Sequence, residues 1–181
     1  MKLTKTKFKD LLIYEKETFK DKRGYFRELY LEKNLKTKFC FDVMSYSKKN
    51  VLRGLHLQLK KPQAKLITVL RGKIFDVCVD CRPKSKTFGK YFSIYLSEKE
   101  NKSLLIPDGF AHGFSSLTDD VILHYKCSNY RSANSEIGIM WNDKELAIKW
   151  PNKKFIISDK DKNNISFKDL KKTLNKLLIQ I

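Results

Sequence analysis

Between residues 64 and 127 the chain is written in short apolar runs broken by turn residues, and no other feature limits its fold so tightly. Residues 64–70 form one candidate strand, Arg71-Gly72 a turn, and 73–80 the next strand, with apolar side chains at 75, 77 and 79. Segments 91–96 and 121–127 repeat the pattern. Alternating residues face opposite sides of a sheet, and runs this short lack the long 3.6-residue stripe of packed helices. Gly54, Gly72, Gly89, Gly109 and Gly113 fall near turns or close approaches between strands. The pattern predicts an all-β barrel or sandwich and excludes a parallel α/β sheet.

The end of the chain reads differently. Phe167, Leu170, Leu174, Leu177, Leu178 and Ile181 recur every three or four residues, and Ser166 with Asp169 forms a capping box ahead of them. This predicts an amphipathic helix over about 167–180, laid on the barrel. A shorter helical piece is expected over 31–36. With no repeat, linker or low-complexity stretch, residues 1–181 read as a single domain, and 41 % hydrophobic residues supply its core.

The charge, 38 basic against 20 acidic side chains for a formal +18, first suggests a polyanion as partner. Only six of those cations are arginine, and the lysines are scattered from Lys2 to Lys176. Nucleic-acid readers rely on arginine forks, so a general lysine bias explains the charge better and no nucleic-acid partner is expected. No apolar run approaches a membrane span and the N-terminus has no signal-peptide core, so the expected location is cytoplasmic, with no membrane partner. Cys78-Val-Asp-Cys81 is formally a C-x-x-C, but it sits inside an apolar strand without a second pair. It reads as strand core, not zinc.

Three histidines can carry chemistry. In Val51-Leu-Arg-Gly-Leu-His-Leu-Gln58, strict alternation puts Leu52, Gly54, His56 and Gln58 on one face and Arg53, Leu55 and Leu57 on the other. His56 then walls a polar pocket. His112 follows a Pro107-x-Gly109-x-x-His112 turn, and His124 alternates with Val121 and Leu123 as a structural residue. That turn is the second half of a cupin metal signature, but the first half fails: His56-Leu57-Gln58, followed by Lys60, Lys61 and Lys65, replaces H-x-H and a glutamate. Two imidazoles and an amide beside lysine make a poor cation site, so neither metal nor other cofactor is expected. The residues suit an anionic substrate and proton transfer. Arg23 and Arg53 are placed for a diphosphate, Lys65 for an oxyanion, a histidine paired with an acid for the base, and Tyr125 or Tyr130 for a proton donor.

Taken together, Asp21-Lys-Arg-Gly-Tyr-Phe-Arg-Glu28, 51–58, Lys65-Leu66, Gly72-Lys-Ile-Phe-Asp-Val-Cys-Val-Asp80, Ile106-Pro-Asp-Gly-Phe-Ala-His-Gly-Phe114, Tyr125-Lys-Cys127, Trp141-Asn-Asp143, Trp150-Pro151 and Ser158-Asp-Lys-Asp161 follow one another in the order of a known family. The chain resembles the nucleotide-sugar 3,5-epimerases, the dTDP-4-dehydrorhamnose 3,5-epimerase family of the cupin superfamily. The resemblance implies a double-stranded β-helix (jelly-roll barrel), a homodimer, no metal, and an isomerase acting on a nucleotide-diphosphate 4-keto-sugar. A 4-keto group acidifies carbons 3 and 5, so a base takes a proton, an enolate forms and a proton returns from the other face. It further implies His56 as base, Asp161 as its acidic partner, Lys65 at the enolate and Tyr125 as acid. Substrate binding is carried over to Arg23, Phe26, Glu28, Arg53, Gln58, His112, Tyr130 and Arg131.

Two departures fall where the nucleobase should sit. Phe41-Asp-Val43 replaces the usual Q-x-N, and Arg131 replaces an aromatic that stacks on the base. A dTDP-4-keto-6-deoxyglucose type substrate and a GDP-linked 4-keto-heptose are both expected to fit, since arginine can stack on or hydrogen-bond a purine. Either would belong to O-antigen or capsule sugar biosynthesis. The alternatives from other classes are a metal-dependent cupin isomerase or dioxygenase, and a polyanion-binding protein.

Overall fold

A computed structural model describes residues 2–179 of the chain; the side chains of Leu178 and Ile179 and all of Gln180 and Ile181, at the end of the expected helical stripe, lie outside the described residues. Strands β1 (Lys2–Lys5), β2 (Leu12–Glu15), β5 (Phe41–Ser47), β7 (Lys65–Arg71), β10 (Lys102–Ile106) and β12 (Val121–Cys127) form one sheet in the order β1-β2-β10-β7-β12-β5. Strands β6 (Leu52–Gln58), β8 (Lys73–Asp80), β9 (Tyr91–Ser97), β11 (Phe110–Ser116) and β13 (Glu136–Gly138) form the other, in the order β13-β6-β11-β8-β9. All pairings are antiparallel. The two sheets make the all-β barrel that the short alternating runs predict, of the cupin jelly-roll type that the family resemblance implies.

Alternation fixes which residues fill the barrel. Ile67, Val69 and Leu123 of the six-stranded sheet meet Ile74, Cys78, Phe110 and Phe114 of the five-stranded sheet, all buried. Cys78 and Cys81 are buried free thiols within this strand packing.

Helix α2 (Phe167–Ile179) lies against the outside of the five-stranded sheet, where Phe167, Leu170 and Leu174 pack on Leu55, Leu57, Val77 and Val79. Burying each such side chain is worth about 1.5–3 kcal/mol, which holds an otherwise polar helix in place. The capping box forms as expected: the Asp169 N–H donates to Ser166 Oγ at 3.1 Å, and that hydroxyl donates to Asp169 Oδ2 at 2.7 Å. The helix expected over 31–36 shrinks to one 3-10 turn, Glu32–Asn34. Its N-cap position, Leu31, offers no side-chain acceptor, and so short a segment cannot repay helix nucleation.

One hairpin stands off the barrel. β3 (Thr18–Asp21) and β4 (Gly24–Arg27) pair only with each other, and Phe19, Tyr25 and Phe26 on them are exposed. The hairpin's root is anchored by Lys16, a buried ammonium that donates to Leu29 O at 2.9 Å and Ser103 Oγ at 2.7 Å.

Candidate active site

A cavity of about 430 Å³ opens between the two sheets, and its walls carry most of the chemistry expected from the sequence. The wall from the five-stranded sheet is shaped by a β-bulge. His56 pairs with His112, but Phe114, two residues further along β11, pairs with Arg53, three residues back along β6. The extra residue on β6 interrupts the alternation. Arg53 therefore lines the same cavity as His56 instead of facing away with Leu55 and Leu57. Glycine is required here: Gly54 has φ +111°, and a Cβ on it would lie 2.5 Å from Gly113 Cα and 2.6 Å from His112 O.

His56 Nε2 lies 2.6 Å from Asp161 Oδ1. An ionised carboxylate can only accept, so Nε2 carries the proton and Nδ1 keeps the free lone pair. Asp161 comes from α1 (Asp159–Lys162), a single helical turn whose N-cap, Ser158, accepts the Asp161 N–H at 3.1 Å. The second carboxylate oxygen accepts the Gly54 N–H at 3.3 Å. Burial pushes the Asp161 carboxyl up, but the hydrogen bond and charge of His56, with the Gly54 N–H, outweigh it and hold the group below 3.8.

The facing wall comes from the six-stranded sheet. Lys65 on β7, Tyr125 on β12 and Ser45 on β5 all line the cavity. Burial lowers the Lys65 pKa, against the pull of Cys127, Glu136, Cys78 and Asp76. Burial also drives the Tyr125 phenol well above its usual range, so it stays protonated, while its hydrogen bond with Ser45 and the charge of Arg53 act the other way. His112 sits on the cavity floor, its Nε2 2.8 Å from Asp76 Oδ2, with both residues buried. The cavity thus holds two histidine–carboxylate pairs, with the histidines on neighbouring strands β6 and β11.

The mouth is charged and partly aromatic. Arg131, Glu136 and Lys160 line it, with Glu136 ion-paired to both cations. Phe41 and Val43 line it from β5, and Tyr130 packs on Phe41 with ring centroids 5.9 Å apart.

Not every expected residue converges here. Gln58 is buried and faces a loop, donating to Lys61 O at 2.6 Å and Tyr130 O at 3.2 Å while accepting from the Ser132 N–H at 2.8 Å. It holds the 128–132 segment and does not line the cavity. Arg23 and Phe26 ride the detached hairpin, and within one chain neither they nor Glu28 line the cavity. The Arg23 side chain is 83 % exposed and paired to Asp21 at 2.6 Å. His124 lies outside the cavity, 3.4 Å from Asp42, as a structural residue.

Sequence reasoning missed Asp76, Ser45, Glu136 and Lys160. Asp76 alone left a signal, a charged residue inside the buried run 74–79. Among the described residues no group of three or more His, Cys, Asp or Glu side chains is placed to hold a metal ion, and no helix is long and apolar enough to cross a membrane.

The family model described as dTDP-4-dehydrorhamnose 3,5-epimerase matches residues 5–169. A protein of that name from Shigella flexneri is 43 % identical over 176 residues, covering 93 % of this chain and 97 % of its own length. Among solved structures, the dTDP-4-dehydrorhamnose 3,5-epimerase of Bacillus anthracis with TDP and PPi bound superposes with TM-score 0.89 at 42 % identity, covering 92 % of this chain and 99 % of that one. The dTDP-6-deoxy-D-glucose-3,5-epimerase of Legionella pneumophila, in complex with dTDP-4-keto-L-rhamnose, gives TM-score 0.88 at 38 % identity, covering 91 % and 92 %.

Proposed function

This chain belongs to the dTDP-4-dehydrorhamnose 3,5-epimerase family, and on that premise we propose how its cavity works. The protein is an isomerase of a nucleotide-linked 4-keto sugar in sugar biosynthesis. One observation carries the assignment of roles: a histidine–aspartate pair on one wall faces a lysine and a partly buried tyrosine on the other.

His56 is the base. Asp161 fixes its ring and tautomer and stabilises the imidazolium that forms when a proton leaves carbon 3 or 5. The electrons move onto the 4-keto oxygen, and Lys65 on the facing wall donates to that developing enolate. His112, held by Asp76, offers a second polar contact on the floor. Tyr125 comes from the opposite sheet, so it returns a proton to the face that His56 does not reach. Burial keeps it protonated until that step. Arg53 and Arg131 meet the diphosphate and base.

The substrate is of the dTDP-4-keto-6-deoxyglucose type, and the enzyme works in the cytoplasm on a sugar destined for surface polysaccharide. A second reading, a GDP-linked 4-keto-heptose, is favoured by Arg131 and by Phe41 and Val43, which line the mouth with side chains that offer a base no hydrogen bond. We further read the protein as a homodimer. The hairpin carrying Arg23 and Phe26 exposes three aromatics away from its own cavity, and β5, which supplies Phe41, Val43 and Ser45, is an unpaired sheet edge.

The test is a screen of dTDP-, GDP-, UDP- and CDP-4-keto-sugars in deuterated water. Deuterium should enter carbon 3, carbon 5 or both with the dTDP sugar, and His56→Asn should stop it. Full exchange in His56→Asn removes the base assignment, and exchange confined to a GDP sugar selects the second reading.

A further inference from the structure

The proton donor has a neighbour that the reaction scheme above leaves idle. Ser45 Oγ lies 3.0 Å from Tyr125 Oη. Tyr125 is paired with Val43 and Ser45 with Leu123, so the two side chains meet diagonally across β5 and β12 on the cavity side. The backbone carrying Ser45 is held on its far side, because Arg53 donates to Tyr46 O at 2.9 Å and to Ser47 Oγ at 3.0 Å.

We propose that Ser45 is a positioning residue for Tyr125, its hydroxyl donating to the phenolic oxygen so that the tyrosine proton is turned into the cavity and the phenolate left behind is met by a hydrogen bond. The inference rests on the reading of Tyr125 as the acid. A phenol has one proton. If Tyr125 spent it on Ser45, none would face the substrate; with Ser45 as donor it is free. As the proton is delivered, the Tyr125 O–H bond breaks, a C–H bond forms from the enolate carbon, and the electron pair stays on the tyrosine oxygen. Ser45 keeps its own proton, and solvent later restores the phenol. A charge-assisted hydrogen bond is stronger than the neutral one it replaces, so the contact favours the proton-transfer step over the resting state. Burial opposes ionisation of this tyrosine, and Ser45 and Arg53 are the groups that counter it.

Partitioning of the enolate reads this directly. In deuterated water, an enolate reprotonated by His56 returns labelled but uninverted substrate, whereas one protonated by Tyr125 gives epimer. With dTDP-4-keto-6-deoxyglucose, Ser45→Ala should raise the ratio of labelled substrate to epimer about tenfold, as expected for weakening general acid catalysis, while His56-driven exchange persists. Ser45→Thr, which keeps the hydroxyl, should restore the wild-type ratio. An unchanged ratio in Ser45→Ala, loss of exchange and inversion together, or failure of Ser45→Thr to restore the ratio would each overturn the proposal. Tyr125→Phe separates the two levels. If it leaves the ratio unchanged, Tyr125 is not the acid; if it raises the ratio and Ser45→Ala does not, only the role of Ser45 falls.

Discussion

A base that must act on a bound sugar needs its ring held still and its charge balanced when the proton arrives. In the proposed scheme the Asp161 carboxylate does both for His56, and its other oxygen accepts the Gly54 N–H of the bulge that presents the histidine. Asp161→Asn keeps the shape but offers an amide whose donor and acceptor ends can select the wrong tautomer. Its kcat should fall about 10²- to 10⁴-fold, with KM little changed. The same substitution has a signature in stability. The folded carboxyl titrates below 3.8, so its contribution is full above the unfolded value and is lost as pH falls through the folded one. Wild type should exceed Asp161→Asn in urea denaturation at pH 7 by more than it does at pH 3; an equal gap at both would show that the pair adds no pH-linked stability. His56 and Lys65 are legible in the sequence because strand alternation and local basicity mark them. Asp161 is not, since it lies 105 positions from His56, and spacing says nothing about contacts closed by the fold. It entered through family resemblance. Ser45 and Asp76 received no role, being short polar residues in strands where many such residues are structural, although Asp76 stands out as a charge within the apolar run 74–79.

The bulge in β6 is the element on which the site depends. Without it Arg53 and His56, three residues apart, would face opposite sides of the strand. Their presence in one cavity comes from an extra residue that only glycine at 54 permits against Gly113. Gly54→Ala places a methyl inside van der Waals contact with the β11 backbone at His112 and Gly113 and strains a positive φ. It should cost about 2–4 kcal/mol in chemical denaturation and raise KM, as Arg53 is displaced from the substrate side of the strand. A variant as stable as wild type would show that β11 can move aside. The existence of β6 could be read from its alternation, but its faces could not. A bulge changes side-chain direction without changing the hydrophobic pattern, which is why strict alternation misplaces Arg53; Gln58 lies beyond the bulge in regular register, and its hydrogen bonds to the 128–132 loop take it out of the pocket. The C-terminal helix was legible in its start and its face, because capping and 3.6-residue periodicity are local signals.

At the scale of the molecule, the formal +18 sorts into two populations. Arg53, Lys65, Arg131 and Lys160 line one cavity, and most of the other cations are spread over a solvated surface that favours the approach of an anion. Arg23 belongs to neither population. It sits at the tip of a hairpin whose aromatics stay exposed although Phe19 and Phe26 pack on each other; in the proposed homodimer a second copy would supply both a surface for them and a cavity for the arginine. If the hairpin serves the partner's cavity, two defective chains should rescue each other. His56→Asn lacks a base but keeps an intact hairpin, and Arg23→Ala keeps its base but lacks the binding cation. In a mixed dimer the cavity with the intact His56 receives the intact Arg23, so one site is whole. Random mixing at equal amounts makes half the dimers mixed, and about a quarter of wild-type sites should return. Were the hairpin to serve its own cavity, every site in the mixture would lack either the base or the arginine. The co-refolded mixture would then show no more activity than the mean of the two variants measured separately.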